Sequence, residues 1–143
     1  MKQMISQELT EKLKDAGLLW EPKEGDEYSH LGNSPEVFVK ALIGYKSKIA
    51  TEHLKIYDEE FPNGRLTTLK EMLLEKSTWL PRLDQLLAEI EKRGWKWDLY
   101  PLKNKYCCLA TQTTAFPIYE EEDSPEEAAG QALLWMLMRG DLR

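Results

Sequence analysis

The spacing of the apolar residues changes at Gly94, and this change constrains the fold more than any other feature of the sequence. Before the glycine, apolar residues recur at intervals of three and four, as on one face of an α-helix: Leu83, Leu86, Leu87 and Ile90. After it, they alternate with polar residues, as on a half-buried strand: Trp95, Trp97 and Leu99. The sequence therefore predicts an amphipathic helix that ends at Gly94 and is followed directly by a β-strand.

This strand is predicted to open an antiparallel three-stranded meander. Residues 101–105 are typical of a turn, and residues 106–111 of a second strand. A third strand is expected over residues 113–119, at a sheet edge, because Pro117 has no N–H to donate to a neighbouring strand. With a helix on either side, the half of the chain from Pro81 onward is predicted to have the order α-β-β-β-α, its helices covering one face of the sheet.

The C-terminal helix has a clear beginning and a wide apolar surface. Ser124 is a typical N-cap residue, Pro125 suits the first helical position, and Glu127 stands at the third. Gly140 can end the helix. In between, the apolar positions cover far more than one stripe: Ala128, Ala129, Ala132, Leu133, Leu134, Trp135, Met136, Leu137 and Met138. Such a helix is buried on most sides, by the core or by a partner subunit.

We therefore expect a homodimer that forms through the C-terminal helix. The predicted interface residues are Leu134, Trp135 and Met138. Tryptophan is enriched in binding hot spots as well as in cores, so its exposure decides which role it has.

The first half of the chain is predicted to hold an N-terminal helix and a mixed segment. We expect Ser6 to cap the first helix and Gly17 to end it. Thr68 is expected to cap a second, short helix. Between residues 34 and 66 the signals for helix and strand conflict, and we favour strands on both sides of Gly44.

Length and charge exclude several classes of protein. A chain of 143 residues is the size of one ordinary domain, so we predict a single α+β domain over residues 1–143. The net charge is −6, and even the most basic stretch, residues 77–118, holds only six basic against four acidic residues. Because phosphate neutralisation supplies much of the affinity for nucleic acids, we expect no direct DNA or RNA binding. The longest apolar run, residues 132–138, is too short to span a bilayer, and we expect a cytoplasmic protein without membrane contact.

The sequence contains no recognisable catalytic motif. His30 and His53 are not spaced as metal ligands, and we predict no metal and no cofactor. The adjacent Cys107 and Cys108 are expected to be free thiols, because neighbouring residues on a strand point to opposite faces. Titratable groups cluster with a histidine at only one place in the sequence, formed by His53, Tyr57, Asp58 and Glu60. This cluster supports an alternative function, in which the protein is an enzyme or binds a small ligand.

Three blocks of the sequence resemble a known group of proteins. The blocks are residues 13–22, 79–87 and 124–135, and they cover about half of the chain together with their surroundings. They are similar to small uncharacterised proteins encoded by phages and prophages of Gram-positive bacteria. Residues 33–78 form a variable middle segment that is individual to this sequence. The resemblance implies a genomic context in a bacterial host and no particular chemistry.

Three functions are compatible with these features. The first is a non-catalytic phage or prophage accessory protein that acts by binding another protein. One version of this function is an inhibitor of a host-defence protein. The second is the small-ligand-binding protein or enzyme described above. The third is a structural component of a virion or of its packaging machinery.

Overall fold

The computed structural model describes residues 4–30, 38–57 and 59–140. The helices are α1 (Gln7–Asp15), α2 (Ser47–Ala50), α3 (Leu69–Lys76), α4 (Leu83–Lys92) and α5 (Pro125–Gly140). The strands are β1 (Glu27–His30), β2 (Phe38–Ala41), β3 (Leu54–Ile56), β4 (Arg65–Thr67), β5 (Ser77–Trp79), β6 (Lys96–Leu102), β7 (Lys105–Gln112) and β8 (Ala115–Glu122). The fold is therefore of the α+β class, as the sequence predicts.

The described residues form two compact units. The terminal unit combines those of Met1–Leu19 with those of Leu80–Arg143, and the middle unit consists of those of Trp20–Trp79. The variable segment 33–78 lies within the range of the middle unit. The prediction of a single domain over residues 1–143 stays a prediction.

The terminal unit contains the predicted α-β-β-β-α order. Strands β6, β7 and β8 form an antiparallel sheet in this order, so β8 lies at an edge, as Pro117 indicates. Helix α5 packs against β7 and β8, α4 packs against β6 and α5, and α1 packs against α5. The prediction for this half of the chain is confirmed.

The core of the terminal unit lies between these helices and one face of the sheet. Its fully buried large apolar side chains come from three helices and from the residues just before α1. They are Ile5, Leu9, Leu13, Leu86, Ile90 and Leu133. Helices α1 and α5 approach closely at Gly130, where a Cβ atom would lie 2.7 Å from Leu9 Cδ2 and 2.9 Å from Ile5 Cδ1. The absence of a side chain at Gly130 therefore sets the distance between the two helices.

The predicted helix ends are confirmed at Ser6, Ser124 and Gly94, whereas Gly140, the expected stop of the C-terminal helix, is itself the last residue of α5. The Oγ atom of Ser6 accepts a hydrogen bond from the N–H of Leu9 over 3.3 Å, and Ser124 Oγ accepts one from the N–H of Glu127 over 3.1 Å. The Glu127 carboxylate in turn accepts the N–H of Ser6, which joins the first turns of α1 and α5. Gly94 has a φ of 83°, in the region that only glycine adopts without strain, and the chain leaves α4 there.

The strands of the meander are longer than the sequence predicts. Pro101 and Leu102 pair with β7, so that the expected turn over residues 101–105 is reduced to Lys103 and Asn104. Strand β8 begins at Ala115, two residues later than predicted, because Thr113 and Thr114 form the turn, and it continues through the acidic residues to Glu122. Both extensions are on the outer strands of the sheet, where a missing N–H or a charged side chain leaves no buried polar group unpaired.

The middle unit has two small antiparallel sheets. Strands β2, β1 and β5 form one in this order, and β3 pairs with β4 in the other. Strand β2 confirms the expected strand before Gly44, whereas after this glycine the short helix α2 precedes β3. Residues 34–37 of the conflicting segment lie outside the described residues.

The core of the middle unit is small, and the buried carboxylate of Asp26 lies beside it. Trp20, Leu42 and Leu73 are the buried members of its apolar cluster, and the ring of Tyr28 lies 5.9 Å from that of Trp20. Asp26, which is 2% exposed, accepts the indole N–H of Trp20 over 2.9 Å and the N–H of Lys23 over 3.0 Å. This pair of bonds fixes the indole beside the first strand of the unit.

Within the described ranges, no helix has the length and apolar character needed to cross a membrane.

Candidate functional site

Helix α5 is buried on the sides that face the sheet and the other helices, and exposed on one remaining stripe. Its buried residues are Ala128, Ala129, Ala132, Leu133 and Met136. On the remaining stripe Trp135 is 48% exposed and Met138 is 51% exposed, with Leu134 half-buried beside them. All three predicted interface residues thus belong to the part of α5 that the terminal unit does not fully cover.

Phe116, on the edge strand β8, extends this exposed surface. Its side chain is 85% exposed. The guanidinium Nη1 of Arg139 donates a hydrogen bond over 3.1 Å to the backbone oxygen of Phe116, which brings the start of β8 to the C-terminal end of α5. Arg139 follows Trp135 by four residues and therefore lies on the same side of the helix. We refer to Phe116, Trp135 and Met138 as the α5–β8 patch.

The α5–β8 patch is apolar and almost free of charge. No charged residue occurs between Ala128 and Met138, although the whole chain has a net charge of −6. Arg139 is the nearest charged residue in the helix, and it is bonded to the Phe116 backbone. Exposed aromatic residues are enriched among those on which protein-protein binding depends, so the patch is a candidate contact site.

The residues of the alternative ligand site lie on and around the β3–β4 hairpin of the middle unit. His53 precedes β3, and Tyr57 follows it; the three strand residues between them separate their Cα atoms by roughly 13 Å. His53 and Glu60 are exposed, and Tyr57 is 66% exposed, with Lys55 Nζ 5.9 Å from its ring centre. Asp58 lies outside the described residues. The structure places His53 and Tyr57 at opposite ends of a strand and surrounds neither with a buried environment.

The two cysteines are free and fully buried, and they point to opposite faces of β7. Cys107 Sγ lies 3.1 Å from the hydroxyl oxygen of Tyr119, and this hydrogen bond is the main reason why the pKa of Tyr119 is raised. Burial raises the pKa of Cys108 to about 11, with smaller contributions from Glu120 and Asp98. At neutral pH the Cys108 thiol is therefore protonated, which makes it a poor nucleophile.

The raised pKa of Cys108 predicts a loss of stability in alkaline solution. The Cys108 thiol stabilises the folded protein fully below pH 9.0, the ordinary pKa of a cysteine, and this stabilisation is lost as the pH rises toward about 11. In this range the folded protein holds a proton that the unfolded chain releases. Between pH 8 and pH 10.5 we expect this group to lower the free energy of unfolding by about 2 kcal/mol. Urea unfolding of the protein and of Cys108→Ala at both pH values measures this difference. An equal loss of stability in the two proteins would contradict the assignment.

The sequence-based prediction of the surface did not include Phe116. A phenylalanine in a strand is more often buried than exposed, so its type alone gives no indication. Its position directly before Pro117, on a strand already expected at the sheet edge, is the one signal that points to exposure.

Among residues 4–30, 38–57 and 59–140, no three His, Cys, Asp or Glu side chains are grouped so that they could hold a metal ion. Comparison of the chain with models of protein families, with curated proteins and with solved structures finds no match.

Proposed function

We propose that this protein is a non-catalytic accessory protein of a phage or prophage. It acts by binding proteins in the cytoplasm of a bacterial host, and it associates with a second copy of itself through α5. The observation that carries the proposal is the exposed stripe of α5. The phage context rests on the three sequence blocks, residues 13–22, 79–87 and 124–135.

The exposed stripe supports a binding role because the rest of the helix is already packed. Leu133 and Met136 bury the opposite side of α5 in the terminal unit. Trp135 and Met138 are large, half-exposed side chains that add little to this core. Exposed tryptophan at the centre of an apolar surface is typical of residues on which protein binding depends.

Replacing Trp135 with glutamate is the direct test. We expect Trp135→Glu to convert a dimer into a monomer at micromolar protein concentration, because a charge in the middle of an apolar contact loses its hydration without gaining a partner. Sedimentation velocity over a concentration series measures the change. The unfolding midpoint of the monomer should change little, because the side chain is half-exposed.

The matched control is Ile43→Glu, which introduces the same charge at an apolar residue that is 89% exposed in the middle unit. It should leave the dimer intact. If the unchanged protein is a monomer at every concentration up to about 100 μM, self-association through α5 is refuted.

A further inference from the structure

We infer that Asn63 is a site of spontaneous deamidation, at which the backbone nitrogen of Gly64 attacks the side-chain amide of Asn63 when the turn between β3 and β4 opens. The reaction replaces the neutral amide with the carboxylate of an aspartate or an isoaspartate. This inference goes beyond the proposed function and does not depend on the contact through α5. Its basis is the position of a reactive residue pair in an exposed turn that restrains the attacking nitrogen.

The residue that follows Asn63 favours this reaction. The attacking nitrogen belongs to the next residue, and a Cβ atom on that residue hinders its approach to the side-chain amide. Glycine has no Cβ atom, and Asn63 is the only asparagine of the sequence that a glycine follows. Asn104 is also exposed in a turn, but it is followed by Lys105. Asn104 is therefore an internal control for Asn63.

The turn between β3 and β4 requires a glycine at position 64. The N–H of Gly64 donates a hydrogen bond over 2.9 Å to the backbone oxygen of Phe61, which closes a four-residue turn. Pro62 stands at the second position of this turn, which its fixed φ favours. Gly64 has a φ of 92°, where any other residue would be strained. The conformation of the turn therefore places a glycine directly after Asn63.

The reaction has two steps and needs only water as a co-reactant. In the first step the Gly64 nitrogen loses its proton and forms a bond to Asn63 Cγ, while the bond from Cγ to Nδ2 breaks and ammonia leaves with that proton. The product is a five-membered succinimide ring. In the second step water adds to one of the two carbonyl carbons of the ring. Cleavage of the new bond at Cγ gives aspartate, and cleavage at the backbone carbon gives isoaspartate, in which the main chain runs through the former side chain.

The hydrogen bond of the turn restrains the reaction. While the N–H of Gly64 is bonded to Phe61, the nitrogen is not free to approach Cγ of Asn63. Strands β3 and β4 form a sheet of only two strands, and Leu54 is 50% exposed and Leu66 71% exposed. Hairpins with so little buried apolar surface are marginally stable and open locally. The nitrogen is therefore released at intervals in the folded protein, and more often in the unfolded chain.

The test incubates the full chain in mildly alkaline buffer for several weeks, once folded and once unfolded in guanidinium chloride. A protease that cleaves after glutamate then releases residues 61–71, which contain Asn63, and residues 92–120, which contain Asn104. Mass spectrometry of these peptides detects the change from amide to acid, and chromatography separates the aspartate form from the isoaspartate form. Asn63→Gln is the matched variant, because its longer side chain would have to close a six-membered ring.

We expect Asn63 to be converted several times faster than Asn104 in the folded protein, and faster again in guanidinium chloride. The corresponding peptide of Asn63→Gln should keep its mass under the same conditions.

Three results would overturn the inference. If Asn63 is converted no faster than Asn104, the glycine does not determine the site. Equal rates for Asn63 in the folded and the unfolded chain would show that the turn does not restrain the nitrogen. A folded protein in which Asn63 is not converted at all would show that the turn does not open to the reaction. None of these results affects the proposed contact through α5, which sedimentation velocity tests separately.

Discussion

Replacing Leu133 with alanine is expected to lower the free energy of unfolding of the terminal unit by about 2–5 kcal/mol. Leu133 is completely buried on the side of α5 that faces the core. Its truncation removes apolar surface from the core and leaves a cavity on the side of α5 that packs against α1, α4 and the strands β7 and β8. The densely packed neighbours can only partly close this cavity.

Met138→Ala is the control for Leu133→Ala. It shortens a side chain of similar size on the same helix, but Met138 is 51% exposed, and we expect a change within about 1 kcal/mol. Urea unfolding at a protein concentration low enough to keep both variants monomeric compares them without a contribution from association. Equal losses of stability would show that α5 does not have a buried and an exposed side as described.

Replacing Asp26 with alanine is expected to open the middle unit and leave the terminal unit folded. The Asp26 carboxylate accepts the indole N–H of Trp20 and the N–H of Lys23, and both donors would lose this acceptor. A buried donor without a partner costs about 1–3 kcal/mol, and bonds to a charged acceptor are at the upper end of this range. Because the apolar cluster of the unit is small, with Trp20, Leu42 and Leu73 as its buried members among the described residues, a loss of this size is a large part of its stability.

Glu24→Ala is the control for Asp26→Ala. Glu24 also accepts a backbone N–H, that of Gly44 over 2.7 Å, but this bond is exposed and water can replace it. Hydrogen exchange followed by mass spectrometry resolves the two units. We expect faster exchange in residues 20–30 for Asp26→Ala and little change for Glu24→Ala. Protection that is unchanged in Asp26→Ala would contradict a structural role for this carboxylate.

Helix boundaries could be predicted from the sequence because their causes are local. The bonds from Ser6 Oγ to the N–H of Leu9 and from Ser124 Oγ to the N–H of Glu127 each span three residues. The stop at Gly94 likewise depends on the conformation of a single residue. Such signals are complete within one turn of helix and do not require knowledge of the rest of the fold.

Strand boundaries and the elements of the middle unit were harder to predict from the sequence, because they depend on partners that are distant in sequence. Pro101 is part of β6 because it pairs opposite Tyr106 at the outer side of the sheet, where its missing N–H is harmless. Helix α2 has four residues, about one turn, which is too short to show any apolar period. Only the register of the sheets and the packing of the unit determine these elements.

The candidate surface could be predicted in part for the same reason. The excess of apolar residues in α5 is a property of the sequence, and it indicated that Trp135 and Met138 need not both be in the core. Which residues of the helix remain exposed depends on where α1 and α4 pack, and the contribution of Phe116 depends on the pairing of β8. The cluster around His53 shows the opposite case, in which residues close in sequence are separated by a strand.

The terminal unit is discontinuous in sequence, and this has a consequence for the order in which the protein folds during its synthesis. Helix α1 leaves the ribosome before its packing partner α5, which begins at Pro125, after the middle unit and the meander. The nascent α1 therefore remains without its native contacts while the contiguous middle unit can already fold. The close approach of α1 at Gly130 is consequently among the last contacts to form, and it joins the two ends of the described chain.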